Sequence, residues 1–174
     1  MSERDAGYNA AILTLSDRGA AGQRAEDTSA AAIRELLEGL PVRVVEYEVL
    51  PDEAVLISET LRRFSERQDI HLVLTTGGTG LAPRDVTPQA TLAVVEYEVP
   101  GMAEAMRSEG LKHTPMAMLS RAVVGVRAGT LIINLPGNPK GVRESLGVLL
   151  PALPHALDKL AGDPADCAPA PPSS

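Results

Sequence analysis

The stretch TTGGTGLAPRDVTP, residues 75–88, concentrates the residue types best suited to holding an anion. Gly77, Gly78 and Gly80 follow the end of an apolar run, and an Arg84-Asp85 pair comes next, framed by Pro83 and Pro88. Glycine accepts positive φ and carries no Cβ, so successive N–H groups can converge on one ligand. The hydroxyls of Thr75, Thr76 and Thr79 add donors. A tight turn between strand and helix would use the same residues. The stretch is neither a P-loop nor a dinucleotide fingerprint, because G-x-x-x-x-G-K-[ST] and G-x-G-x-x-G are both absent. A carboxylate beside a phosphate cradle is repulsive unless a cation lies between them. Mg²⁺ meets that need with one or two carboxylates and substrate phosphate oxygens as ligands. Asp85 is therefore read either as such a ligand or as a helix cap or partner of Arg84.

Asp52, in VLPDE, carries the local signature of a helix N-cap. If the strand before it neighbours the strand before the glycines, it also reaches the same sheet edge as Asp85, and the two carboxylates form one metal-phosphate centre. LSDR offers Ser16 as a hydroxyl donor, Asp17 as an acceptor and Arg18 as an anion clamp, or it is a polar turn. Ser120 and Arg121 form a weaker pair that a helix end explains equally well. In NLPGNPK, Asn134 and Asn138 flank Pro136 and Gly137, with Pro139 fixing the exit. Amide groups there can read a heterocycle edge, and Gly137 admits a flat ring to the main chain, or the segment is a β-turn. Arg18, Arg84, Arg121 and Lys140 all fall in expected loops, as a site for multiply charged anions requires.

The elements that must position these residues alternate. Apolar runs at 9–15 and 70–76 read as strands, the second covered on both faces as in a parallel sheet. Residues 42–50 alternate as a strand with one polar face, near an edge. Ile33, Leu36, Leu37 and Leu40 recur at helical spacing, with Gly39 suited to a helix C-terminus, and a second helix spans 53–64. Thr87 and Pro88 look like an N-cap and N1 opening a helix over 88–97. Further helices are expected at 100–111 and 115–121, their methionines as core. Ala128-Gly129 marks a hairpin between two β-rich runs, and Pro151 and Pro154 break the last helix. The pattern predicts an α/β fold, a three-layer α/β/α sandwich with a mainly parallel sheet and a small β-hairpin. LSDR, TTGGTG and NLPGNP all follow expected strands, at the edge where such folds bind ligands.

The 174-residue length fits one domain, expected over residues 7–162, with a Pro/Ala-rich disordered tail at 163–174. A formal net charge of −7 and the lack of tryptophan argue against a nucleic-acid surface. No run approaches a membrane span and the first residues hold no secretory apolar segment, so a cytoplasmic protein is expected. Cys167, the only cysteine, lies in the tail and is read as an inert thiol; a disulfide within the chain is impossible. His71, His113 and His155 form no zinc-type helical pair.

Taken together, TLSDR, VLPDE, TTGGTGLAPRDVTP, PGM, LSR and LPGNPK resemble the molybdopterin adenylyltransferase family (MogA/MoaB-like) of molybdenum cofactor biosynthesis, across about residues 8–161. The resemblance implies the fold of that family, and transfer of AMP from ATP to the terminal phosphate of molybdopterin with Mg²⁺. It also implies that Asp52 and Asp85 are the essential, metal-holding aspartates. By the same resemblance Gly77, Gly78, Thr79 and Gly80, with Thr76 before them, contact nucleotide phosphate or ribose. Ser16 and Pro136, Gly137, Asn138 and Pro139 lie at the nucleotide and pterin pockets. A homotrimer and contact with the molybdate-insertion enzyme are expected on the same ground. The alternatives are a non-catalytic molybdopterin-binding protein of the same fold and a related nucleotide pyrophosphatase.

Overall fold

The computed structural model describes residues 7–23 and 26–164. The expectations for Cys167 and for most of the tail lie outside the described residues. Six strands form one sheet in the order β2-β1-β3-β6-β5-β4. Strands β1 (Tyr8–Leu15), β2 (Val42–Leu50), β3 (Leu72–Thr76) and β6 (Thr130–Leu135) run parallel, while β5 (Val124–Arg127) is antiparallel to β6 and to β4 (Tyr97–Glu98).

The central strands are apolar on both faces because both are covered. Along β1, Ala10 and Ile12 face one core and Ala11, Leu13 and Leu15 the other; β3 and β6 divide in the same way. One face is covered by α2 (Thr28–Leu37), α5 (Pro100–Leu111), α6 (Pro139–Leu149) and α7 (Leu153–Leu160). The other face is covered by α3 (Ala54–Ser65) and α4 (Thr87–Leu92), with Phe64, Leu61 and Ile57 fully buried. The chain is thus the expected three-layer sandwich. Pro151 lies between α6 and α7 and Pro154 in the first turn of α7, and the β5–β6 hairpin turns at Ala128 and Gly129, both at positive φ.

Several local expectations are corrected. β2 is the edge strand, but β1 lies between it and β3. A bulge opposite Ala10 and Ala11 shifts the β2 register, so Glu46 and Glu48 face α3 and pair with Arg67 and Arg63, while Val45 and Tyr47 are exposed. The polar loop after β1 contains a one-turn helix, α1 (Asp17–Ala20), capped by Ser16. Helix α4 stops at Leu92, and Tyr97 and Glu98 form a short strand, since the antiparallel pairing with β5 outweighs helical propensity there. Residues 115–119 are a 3-10 turn on which Met116 and Met118 are 62% and 63% exposed, not core.

Candidate active site

β1, β3 and β6 are neighbours, and the loops leaving their carboxyl ends meet. The connections from β1 and β3 diverge to opposite sides of the sheet, which opens a crevice between them. There a cavity of about 210 Å³ is lined by residues that include Ser16, Asp52, Gly77, Gly78, Asp85 and Gly137.

Each glycine in the loop answers a specific crowding. Gly77 has φ +105, and a Cβ on it would lie 2.3 Å from the Leu15 carbonyl oxygen; Gly78 has φ +66, and its Cβ would lie 2.3 Å from Thr87 Oγ1. A Cβ on Gly80 would lie 2.8 Å from Asp85 Oδ2. The Gly77 N–H is engaged by the Leu135 carbonyl at 3.1 Å. Among the described residues, those of Gly78, Thr79 and Gly80 donate to no protein acceptor.

Buried polar side chains hold this loop. Asn134 is fully buried; its Nδ2 donates to Thr75 Oγ1 and Thr91 Oγ1, and its Oδ1 accepts from the Val123 N–H. Thr91 donates to the Thr87 carbonyl, and Thr87 to the Gly77 carbonyl, so Thr87 supports the loop while Val86 occupies the cap position of α4. Thr76 donates to the Pro136 carbonyl at 2.6 Å. The Arg121 guanidinium donates to the carbonyls of Gly80 and Asp85, and its N–H to that of Thr79. Arg121 is thus a brace across the loop.

Asp52 is not the cap of α3: Glu53 holds that position. Instead the Asp52 carboxylate accepts from the Asp17 N–H at 3.2 Å, and Asp17 Oδ1 accepts from the Asp52 N–H at 3.0 Å. This reciprocal pair ties the β2 loop across the end of β1, and so brings Asp52 to the crevice without β2 touching β3. Asp85 neither caps α4 nor pairs with Arg84; its Oδ2 accepts from the Ala82 N–H at 2.9 Å. Arg84 forks onto Asp17 at 2.9 and 2.6 Å. That guanidinium holds the Asp17 carboxyl below the usual carboxylate range. Burial, and then the negative charges of Asp17 and Asp85, push the Asp52 carboxyl up. Two carboxylates facing one cavity, with the charge of one disfavoured, match the donor set of a hard divalent cation that also takes phosphate oxygens. Among the described residues no cluster of three or more His, Cys, Asp or Glu side chains forms a closed metal cage.

The remaining expected residues divide. Ser16 Oγ accepts from the Gly19 N–H, leaving its proton free to donate into the cavity. Asn138 Oδ1 caps α6 through the Gly141 N–H while its Nδ2 has no acceptor among the described residues, whereas the Asn134 amide is consumed in the core and does not reach the site. Gly137 serves close approach of two loops, a Cβ on it lying 3.2 Å from Gly77 Cα. Arg18 is exposed beside the site on α1. Pro136, Asn138, Lys140, Thr79, Gly80 and Ser120 line a second cavity, Pro139 opens α6, and Arg121 lies behind the loop.

Sequence reasoning passed over Thr14, Ser29 and Asp27. Thr14 and Ser29 line the first cavity, and Ser29 donates to the Gly137 carbonyl. Asp27 caps α2 and accepts from Thr14 at 2.5 Å and Tyr47 at 2.7 Å. Burial opposes its ionisation, but the bonds from Thr14, the Ala30 N–H and Tyr47 prevail and lower its pKa. The D-T-S run before an apolar helix is a capping signal that would have revealed it.

Comparison with known proteins adds a separate line of support. The family model described as "Probable molybdopterin binding domain" matches residues 11–155. A molybdopterin adenylyltransferase of Helicobacter pylori strain J99 is 44% identical over 154 residues, covering 87% of either chain. That of Escherichia coli K12 is 44% identical over 137 residues, 78% of this chain and 70% of the relative. Among solved structures, the molybdopterin biosynthesis enzyme MoaB from Thermus thermophilus superposes with a TM-score of 0.84 at 55% identity, over 91% of this chain and 99% of the other.

Proposed function

The chain belongs to the molybdopterin-binding domain family, and we propose that it is a molybdopterin adenylyltransferase, transferring AMP from ATP to the terminal phosphate of molybdopterin. The observation that carries the reading is the meeting of Asp52 and Asp85 with the open N–H group of Gly78 in one crevice, at the edge of a loop whose Thr79 and Gly80 N–H groups are also open. An oxygen of the molybdopterin phosphate attacks the α-phosphorus of ATP. The new P–O bond forms as the bond to the β-phosphate's bridging oxygen breaks, and that oxygen leaves with the electron pair in pyrophosphate. The loop amides and the Ser16 hydroxyl bind and orient the phosphates, and positioning and charge stabilisation supply most of the acceleration. Asp52 and Asp85 would hold Mg²⁺, which when bound neutralises charge on the reacting phosphates.

A homotrimer and a cytoplasmic location belong to the same reading, as does contact with a molybdate-insertion enzyme. Large apolar side chains left exposed on the single chain, among them Val55, Leu81, Met116 and Met118, support assembly with further protein. No helix among the described residues is long and apolar enough to cross a membrane.

The test is pyrophosphate formation on mixing the protein with Mg²⁺, ATP and molybdopterin. Release that requires both substrates is the expected result. ATP turnover without molybdopterin would make the protein a nucleotide hydrolase, and molybdopterin binding without pyrophosphate would leave a binding protein.

A further inference from the structure

Asp17 lies at the rim of the crevice rather than in its wall, yet three loops converge on it. It stands in the single turn of α1, after β1. Its Oδ1 accepts from the Asp52 N–H, in the loop after β2, at 3.0 Å, and its own N–H donates to Asp52 Oδ2 at 3.2 Å. Arg84, in the loop after β3, forks onto the same carboxylate, Nε to Oδ2 at 2.9 Å and Nη2 to Oδ1 at 2.6 Å. One Asp52 oxygen is thus committed to the backbone of α1. The other, Oδ1, lies beside Gly78 in the crevice, 3.1 Å from where a Cβ on that glycine would stand. The Arg84 and Asp17 side chains are 59% and 45% exposed, so as an ion pair they add little to the stability of the fold. Their geometry nevertheless continues, bond by bond, from Arg84 through Asp17 to the carboxylate in the cavity wall. The same fork turns away from the crevice the paired donors with which a guanidinium grips a phosphate.

Resting on the adenylyltransferase reading, we propose that Asp17 and Arg84 are positioning residues: together they hold the Asp52 carboxylate in the orientation that presents Oδ1 to a divalent cation, and Arg84 stays on Asp17 when nucleotide binds. A carboxylate free to rotate must be ordered by the cation that it receives, at a cost in affinity. A carboxylate fixed beforehand avoids that cost and keeps the cation in register with the reacting phosphates. Arg84 also neutralises Asp17, so that three bare carboxylates, those of Asp17, Asp52 and Asp85, do not crowd one rim. Breaking the fork frees Asp17 to turn, and with it the bond that holds Asp52. Cation binding then weakens, while nucleotide held without metal by the loop amides is unaffected.

Two equilibrium measurements without turnover test this: Mn²⁺ binding in the presence of ADP, followed by electron paramagnetic resonance, and ADP binding in EDTA. Both are made on wild type, Asp17→Asn, Arg84→Gln, Arg84→Lys and the double variant Asp17→Asn/Arg84→Gln. Asparagine keeps an acceptor for the Asp52 N–H but turns a donor toward the guanidinium. Asp17→Asn and Arg84→Gln should each weaken Mn²⁺ binding roughly three- to tenfold. The double variant should be no weaker than the worse single one, because both changes break one route. Arg84→Lys, which keeps the charge and loses the fork, should fall between wild type and Arg84→Gln, and it provides the reading if Arg84→Gln fails to fold. ADP affinity in EDTA should stay within about twofold throughout. Unchanged Mn²⁺ affinity in the single variants would overturn the proposal, as would additive losses in the double variant. Loss of metal-free ADP affinity in Arg84→Gln would overturn it too, by assigning Arg84 to a phosphate. Intact AMP transfer with Mn²⁺ binding indifferent to these changes sinks only this inference, whereas Mn²⁺ binding that depends on Asp17 and Arg84 in a protein unable to transfer AMP sinks only the enzymatic reading.

Discussion

Asp52 shows how one residue's local sequence can be outweighed by its surroundings. Pro51-Asp52 before an amphipathic segment is a capping signal, and the sequence offers no local cue to choose otherwise. The structure places the carboxylate against the Asp17 N–H, in a half-buried position near Asp85. Its pKa is raised by burial and then by the neighbouring acids. A folded-state value above the unfolded one means that the ionised carboxylate costs stability. That cost is fully present above the folded value and is relieved as pH falls through it. Asp52→Asn should therefore melt roughly 1–3 °C above wild type at pH 7 without Mg²⁺, a modest gain because the site is partly solvated. The margin should shrink on acidification, and AMP transfer should be lost. A variant less stable than wild type at neutral pH would show that the carboxylate is not an unmet charge. Stability given up for function at such a position is a common pattern.

At the scale of elements, the glycine loop depends on what lies beneath it. Asn134, Thr91 and Thr87 form a buried chain of hydrogen bonds from the hairpin to Gly77. Asn134→Leu keeps the branched skeleton but leaves the Val123 N–H unpaired. It should lower stability by about 2 kcal/mol, read as a lower urea midpoint at unchanged m-value. An unchanged midpoint would contradict this role. The strands and helices themselves were legible, because apolar period separates double-covered β1 and β3 from amphipathic α2 and α3. The Asn134 role was not, since an Asn two residues before Pro-Gly reads equally as a turn residue. Strand β4 and the shortness of α4 depend on pairing with β5, a contact more than twenty residues away that no local pattern encodes. The bulge in β2 inverted which face is exposed for the same reason.

Across the whole molecule, a chain with formal charge −7 collects its anion-binding features at one edge of one sheet. The strand order explains how: β1, β3 and β6 are adjacent and parallel, so three loops far apart in sequence emerge together. Sequence could place each loop at a strand end but could not order the strands, and it left open whether Asp52 and Asp85 meet. It also did not reveal that Arg84 and Arg121 brace protein groups, leaving backbone amides as the open donors. In this mechanism Asp85 serves the transfer step and not the capture of the pterin. This is tested most directly by measuring AMP transfer and molybdopterin affinity for Asp85→Asn beside wild type. Turnover should fall by roughly a hundredfold or more, with molybdopterin affinity held within about threefold. Undiminished transfer by Asp85→Asn would contradict it.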